Sequence, residues 1–479
     1  MIKGIISMYS PRFSAVLTYM LQSTEYRVWP YLKWFWRTED FSKVAVRRQL
    51  VPTKSARLLQ ASLLLGMSVQ ILAGLLVLYL WHWHHLSNGL GYGALILISY
   101  PIVWAHLVIV PLWLGRVFIV QPREDHLVAV SANIFRRHKS PIIAIAGSYA
   151  KTSMKEILLT VLSEGKKVFA TPANKNVALS HAIFAKTLSK DVDIIIVEYG
   201  ENRPGDILRF ANVTRPTHGI ITGLAPAHLD RYKTVDKAGE DIFSLAAYLD
   251  NKHVYVNGES LAAEPFIKPE YTLYSKNGVA GWTINDVRLS INGTSFHLNK
   301  NTRSLHLHTK LLGRHNIGPV ALAAVLADGF GLSDKQIIAG VAKTTAFEHR
   351  MEPYKLSEAW IIDDTYNGNI EGIRAGTVLL AELPAERKIY VTPGLVDQGR
   401  QKKAIHHLAG ELIAASGCDI VVLMKNSAAK HIRAGLESAG FKGELRIEPE
   451  PLKFYSNLSE FVAAGDLVLL QNDWTDNYA

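Results

Sequence analysis

Two uncharged apolar runs, residues 58–81 and 86–115, constrain this chain of 479 residues more than any other feature. Each is long enough to cross a hydrocarbon core of about 30 Å, and a single segment in lipid satisfies its own backbone only as a helix. Arg27, Lys33, Arg37, Lys43, Arg47, Arg48, Lys54 and Arg57 precede the first run, and Arg116, Arg123, Arg136, Arg137 and Lys139 follow the second. The connection His82–Gly91 carries neither Lys nor Arg. By the positive-inside rule this asymmetry predicts a transmembrane hairpin in an inner (cytoplasmic) membrane over residues 58–120, with the histidine-bearing loop outside and all that follows in the cytoplasm. Pro101 and Pro111 interrupt the second run, so a buried helical hairpin of a soluble domain is the competing reading. A cleaved leader does not fit an apolar run that starts near residue 58.

Residues 1–57 mix basic side chains with Tyr26, Trp29, Tyr31, Trp34, Phe35 and Trp36, the composition of a segment lying at lipid headgroups. A solvated linker with some core aromatics is the alternative. Much of the net charge of +10 then sits beside anionic lipids and calls for no nucleic-acid partner. His82, His84 and His85, flanked by Trp81 and Trp83, read as interface residues rather than metal ligands. A lone cysteine, Cys418, excludes an intramolecular disulfide and a cysteine zinc site; its apolar surroundings make it a buried thiol.

The rest of the chain is of α/β type. Between residues 140 and 330, apolar runs at Ile142–Ala146, Ile194–Val197, Gly219–Thr222 and His253–Val256 alternate with helical patterns, which predicts a parallel sheet covered by helices. The alternating polar stretch Tyr271–Leu312 predicts β-hairpins, with Asn292-Gly293 as a turn. Residues 331–479 repeat the α/β pattern in a doubly wound, Rossmann-like layout. A helix is predicted at Asp334–Lys343, strands at Ala359–Asp363, Lys388–Thr392, Ile420–Leu423 and Leu467–Leu470, and helices near Ile370–Leu383, Ala404–Ala415 and Ala428–Ala439.

At the head of the first α/β region the run Ile143-Ala-Ile-Ala ends in Gly147-Ser148-Tyr-Ala150-Lys151-Thr152-Ser153, and a helical pattern follows from Met154. Backbone N–H groups in such a turn point at an anion, a lysine adds a cation for β/γ-phosphates, and a hydroxyl there can ligate Mg²⁺. This is a P-loop with Ala150 where glycine is usual, and because alanine resists positive φ a slightly remodelled loop is expected. Glu198 ends the next core strand and His228 follows the one after. With Thr152 and Ser153 they form a suitable donor set for Mg²⁺ on phosphates.

These motifs occur in an order that resembles the Mur ligase family, nearest to its D-alanyl-D-alanine-adding members, over roughly residues 140–479. The residues that carry the resemblance begin with the P-loop, Thr171-Pro-Ala-Asn174-Lys-Asn176, Glu198-Tyr-Gly200 with Pro204-Gly205, and Ala227-His228. They continue with Gly313-Arg-His-Asn316, His349-Arg350-Met351, Asp363-Asp364-Thr-Tyr-Asn367-Gly-Asn369 and Thr392-Pro-Gly394 through Gln398-Gly399. The resemblance implies an ATP-binding central domain and a C-terminal domain that closes on it. Gly147, Ser148, Lys151, Thr152 and Ser153 would bind ATP phosphates, and Thr152, Glu198 and His228 would hold magnesium. Asn316 would contact adenine, with Arg350, Asp364 and Asn367 meeting the nucleotide from the other domain. Lys151, His228 and Arg350 would be catalytic. The implied reaction joins D-alanyl-D-alanine to a peptide carboxylate of a cell-wall precursor, through an acyl phosphate made from ATP.

Three departures stand out. Ala150 replaces the loop glycine. The lysine that many members carbamylate to hold a second magnesium aligns with Gly239, with Lys237 two residues earlier. The membrane hairpin stands where the family has a uridine-nucleotide domain, which leaves a UDP-linked and a lipid-linked acceptor both open. A ligase for another membrane-associated polymer such as poly-γ-glutamate, a catalytically inactive membrane-tethered scaffold and, more remotely, a transport ATPase are the other readings.

Overall fold

The computed structural model describes residues 2–24, 26–44, 53–173, 175–201, 203–225, 232, 234–366, 368–396, 398 and 401–472. The chain divides into two compact units, Met1–His126 and Leu127–Ala479.

In the first unit, short helices Ile2–Ser7, Phe13–Ser23 and Val28–Arg37 precede two long ones, Lys54–His84 and Gly89–Leu107. The N-terminal aromatics divide by role. Phe13, Tyr31, Phe35 and Phe41 bury themselves with Leu17 and Leu21 against Leu59, Leu63, Met67 and Ala105. Trp29 and Trp36 stay 58% and 56% exposed. The Tyr31 hydroxyl donates to the Ala105 carbonyl at 2.9 Å, so a polar tip is satisfied inside an apolar cluster. The long helices pack closely because small residues meet large ones. Gly66 faces the Trp104 ring and Gly93 faces Leu78, and a Cβ on either would collide. Gln70 Nε2, a polar group inside the first run, donates to Ile96 O at 3.1 Å and Ser99 Oγ at 3.2 Å. Pro101 lies inside the second helix without ending it. Among the described residues two helices are long and apolar enough to cross a membrane, with Leu65, Leu72, Leu95 and Ile98 among their exposed side chains.

The second unit holds two sheets. The first comprises β1 (Ile142–Ala146), β2 (Val168–Ala170), β3 (Ile194–Glu198), β4 (His218–Ile221), β5 (Val254–Asn257), β6 (Thr272–Ser275), β7 (Gly278–Val279), β8 (Trp282–Ser290), β9 (Gly293–Lys300) and β10 (Arg303–Thr309). The order β2-β3-β1-β4-β5-β6 is parallel, and β7 to β10 extend it antiparallel. β1 and β3 are buried along their whole length, as their unbroken apolar runs require. The β8–β9 turn falls one residue earlier than Asn292-Gly293 suggests, since Ser290 pairs with Gly293 and the turn is Ile291-Asn292. Gly293 is required because a Cβ there would lie 2.1 Å from the Thr309 carbonyl.

The second sheet comprises β11 (Glu352–Leu356), β12 (Ala359–Asp364), β13 (Arg387–Thr392), β14 (Ile420–Met424), β15 (Glu444–Glu448) and β16 (Asp466–Gln471), in the order β11-β12-β16-β13-β14-β15. All pairs are parallel except β11 with β12. The helix Asp334–Lys343, expected with this region, instead buries Ile337 and Val341 in the core of the first sheet. Its Lys343 pairs with Glu164 at 2.6 Å.

Candidate active site

The carboxyl ends of β1, β3 and β4 deliver the first half of the site. β1 runs into Gly147, at φ 144, where a Cβ would stand 2.2 Å from Thr222 Oγ1. Only glycine lets the chain turn this close to β4. Ser148 N–H donates to Gly223 O at 2.9 Å, and Thr222 Oγ1 donates to Tyr149 O at 2.5 Å. Ala150 sits at φ 56, ψ 8 immediately before helix Lys151–Leu162. The expected remodelling is therefore absent: alanine takes the left-handed conformation of the usual glycine, and the bracing from β4 outweighs a local cost of about 1 kcal/mol.

Lys151 Nζ donates to Gly147 O at 2.5 Å and lies 2.7 Å from Glu201 Oε2. Thr152 Oγ1, on the same turn, donates to Glu198 Oε1 at 3.1 Å. Asn176 Nδ2 donates to the same oxygen at 3.1 Å. Glu198 is 1% exposed at the end of β3, with its N–H donating to Thr171 Oγ1 at 3.1 Å and its carbonyl accepting from His181 Nε2 at 2.8 Å. Burial lowers His181 to about 4, so it is the neutral imidazole that donates. Glu198 Oε2 makes no directed hydrogen bond; Lys155 Nζ faces it at 3.3 Å. Ser153 is half-buried on the same helix. His228 and Asn367 lie outside the described residues, as do Asn174 and Ala227.

The second half comes from the other sheet. His349 and Met351 both adopt left-handed backbone, φ 60 and φ 49, so Arg350 is presented between two strained residues. His349 Nδ1 pairs with Asp363 Oδ2 at 2.8 Å, an interaction that raises its pKa. The Arg350 guanidinium stacks 4.6 Å from the Tyr366 ring centroid, and its buried Nε has no hydrogen-bond partner. Burial lowers its pKa, while Tyr366, Glu198 and Asp364 act on it with opposite sign. Arg350, delivered by the second sheet, thus feels the charges of both its neighbour Asp364 and Glu198 of the first sheet.

Asp364 is pushed up to about 7 by burial, against the Gln471 hydrogen bond and the Arg350 charge, which lower it. Gln471 Nε2 donates to Asp364 Oδ2 at 2.8 Å and to Gly372 O at 2.7 Å, and Gln471 Oε1 accepts from Tyr390 OH at 2.5 Å. Asn369, beside it, has a structural duty: its side chain caps helix Ile370–Glu382 through Glu371 N and Gly372 N. Asn316 is 9% exposed and donates to Leu312 O at 2.8 Å. Burial also lowers its neighbour His315 to about 4. Arg314 pairs with Glu382 at 2.6 Å and ties this corner to the second sheet's first helix.

Sequence reasoning missed Lys155, Glu201, Tyr366 and Gln471. Lys155 carried a weak signal, one helical turn beyond Lys151 on the same face. The others are recognisable only through partners distant in the chain.

A nucleoside triphosphate and Mg²⁺ fit these residues. The loop at Gly147 has no room for a Cβ, its lysine stands at the helix start, and a buried carboxylate with an oxygen lacking a directed hydrogen bond lies beside the Thr152 hydroxyl. Position 239 offers no second metal ligand, because a Cβ there would lie 2.4 Å from the Phe266 ring and 3.0 Å from Leu224. Lys237 is exposed.

The family model for the Mur ligase middle domain matches residues 145–327, and that for the Mur ligase glutamate ligase domain matches residues 349–471. The UDP-N-acetylmuramoyl-tripeptide–D-alanyl-D-alanine ligase of Escherichia coli (strain K12) is 30% identical over 292 residues, 59% of this chain and 64% of that protein. The enzyme of the same name from Synechocystis sp. is 28% identical over 312 residues, 63% of this chain and 66% of that protein. The chain thus spans a little under two thirds of the length of these relatives. Among solved structures, MurF from Acinetobacter baumannii superposes with a TM-score of 0.63 at 21% identity, over 73% of this chain and 77% of that one. MurF ligase from Thermotoga maritima, in complex with ADP, does so with 0.64 at 19% identity, over 73% and 80%. With its Gly147–Ser153 loop, its carboxylate at the end of β3 and its arginine from the second sheet all within the matched regions, the chain belongs to the Mur ligase family.

Proposed function

We propose that this chain is a membrane-anchored, ATP- and Mg²⁺-dependent amide-bond ligase that adds D-alanyl-D-alanine to the peptide carboxylate of a muramoyl-peptide precursor. The observation that carries the reading is Arg350, delivered by the second sheet half-buried on the Tyr366 ring with its Nε unpartnered, and subject to the charge of Glu198, which the first sheet delivers. Two halves that build one charged site suit a reaction in which one substrate is activated and another must be aligned to it.

Joining a carboxylate to an amine in water is uphill, and ATP supplies the activation. The γ-phosphoryl group passes to a carboxylate oxygen with ADP leaving. The amine nitrogen then attacks the acyl carbon, the tetrahedral intermediate expels phosphate, and the nitrogen loses its proton. Lys151 would leave Glu201 to meet the β/γ-phosphates, and the N–H groups at the start of its helix would cradle them. Magnesium, held by Thr152 and Glu198, would neutralise phosphate charge. Arg350, fixed by the Tyr366 ring, would meet the nucleotide from the opposite side, and Gln471 would hold Asp364 in place.

The hairpin supports a membrane location, with the catalytic sheets on the cytoplasmic side where ATP is available. Its exposed Leu65, Leu72, Leu95 and Ile98 suit lipid and favour an acceptor met at the bilayer, either UDP-linked or already lipid-linked. The test is titration of the detergent-purified chain with Mg²⁺ and a fluorescent ADP. Lys151→Ala should weaken binding about 100-fold, as loss of a buried charged phosphate contact does. Undiminished binding by Lys151→Ala would remove this loop from the active site.

A further inference from the structure

Lys155 is fully buried, with 0% side-chain exposure, although nothing in the reaction outlined above uses it. It lies four residues after Lys151 on helix Lys151–Leu162 and points into the protein rather than towards a phosphate. A buried ammonium survives only where opposite charge and hydrogen-bond acceptors replace water. Here the acceptor is the Ala173 carbonyl, and the charges are Glu198 Oε2 at 3.3 Å and Glu156 Oε1 at 3.4 Å. Ala173 itself is held at φ 46 in the turn that also carries Asn176. One ammonium therefore pins both the turn that supplies Asn176 and the carboxylate that Asn176 and Thr152 approach from the other side.

The two oxygens of Glu198 divide accordingly. Oε1 takes the Thr152 and Asn176 hydrogen bonds, and Oε2 faces Lys155. A second divalent cation sharing Glu198 would need Oε2, and beside it a further ligand such as the family's carbamylated lysine. The place that a carbamylated lysine would occupy is Gly239, and the Phe266 ring and Leu224 fill the space a side chain would need there. Among the described residues no side chain stands at that place, and a fixed positive charge already stands at the remaining oxygen. Like charges at this separation repel strongly where water is excluded.

We propose that Lys155 is a positioning residue that takes the place of a second metal ion, so that the nucleotide-bound chain holds one divalent cation, at Thr152 and Glu198. This rests on the ligase reading above. The measurement is Mn²⁺ binding to the detergent-purified full-length chain saturated with a non-hydrolysable ATP analogue, read from the paramagnetic resonance signal of free Mn²⁺. One ion per nucleotide-bound chain is expected, and two would overturn the proposal without any variant being made. Lys155→Met, close in volume but uncharged, should free Glu198 Oε2 and raise the number to two, while Lys155→Arg should keep it at one. A Lys155→Met chain that binds nucleotide but still takes a single Mn²⁺ with unchanged affinity would also overturn it. Failure of the wild-type chain to bind the analogue would instead bring down the ligase reading on which the proposal rests.

Discussion

Lys151 and Glu201 form an ion pair of 2.7 Å, with side-chain exposures of only 12% and 4%. The cation expected to bind phosphate is already held by a carboxylate three residues past Glu198, so a nucleotide has to displace Glu201 or share Lys151 with it. Glu201→Gln keeps the shape and removes the competing charge. A charged hydrogen bond is worth about 1.5 kcal/mol, so the variant should bind ADP and ATP roughly ten-fold more tightly by calorimetry. Weaker binding would mean that Glu201 aligns Lys151 rather than occupying it.

Ala150 offers a test of the loop itself. Its left-handed backbone, φ 56 and ψ 8, is one that glycine adopts without strain. Ala150→Gly should raise unfolding stability by about 1 kcal/mol and leave nucleotide affinity at least as high. A clear loss of stability would show that the Ala150 methyl makes contacts that outweigh the strain.

Asp364 makes stability depend on pH in a direction unusual for a carboxylate. Its folded-state pKa, about 7, lies above the ordinary value, so the folded chain keeps a proton that the unfolded chain releases. The stability this contributes is complete below about pH 4 and is lost as pH rises through about 7. Asp364→Asn fixes the uncharged form. Its melting temperature should nearly match wild type at about pH 4 and exceed it by a growing margin up to about pH 8; a difference that stays constant across that range contradicts the burial argument.

The membrane arrangement can be read with cysteines, because the native Cys418 is buried and unreactive towards bulky reagents. Ser87, in the turn between the long helices, and Lys442, in the second sheet's domain, are both exposed. In intact cells an impermeant maleimide should label Ser87→Cys and leave Lys442→Cys untouched until the membrane is broken. The reverse pattern would put the nucleotide site outside and away from ATP.

Much of the second unit was legible because its central strands are fully buried and read as unbroken apolar runs. β1 runs over Ile142–Ala146 and the helix Asp334–Lys343 has the expected ends. The sequence hid β15, a five-residue edge strand whose apolar face is only Leu445 and the 43% exposed Ile447, and β2, which is three residues long. Sequence order groups the helix Asp334–Lys343 with the second sheet although it packs on the first, because periodicity reports which face is apolar, not what it packs against.

The site divides in the same way. The places of Gly147, Lys151, Thr152 and Glu198 in the fold were legible because a turn, a helix start and a strand end each leave a local signature. Gln471 was not, since it reaches Asp364 from 107 positions away along the chain. Lys155 looked like an ordinary helical lysine until the fold placed Glu198 and Ala173 over it. Ala150 misled in the other direction: local propensity argued for a changed loop, and the contacts from Thr222 and Gly223 overrode it.

The central claim is tested most directly by ADP formation and product mass for the detergent-purified chain with ATP, Mg²⁺ and D-alanyl-D-alanine, given muramoyl-tripeptide in UDP-linked and in lipid-linked form. The account predicts that ADP release requires both the amine and one of the two acceptors, and that the product is heavier by one D-alanyl-D-alanine less water. ATP turnover indifferent to both substrates, or none with either acceptor, would contradict it.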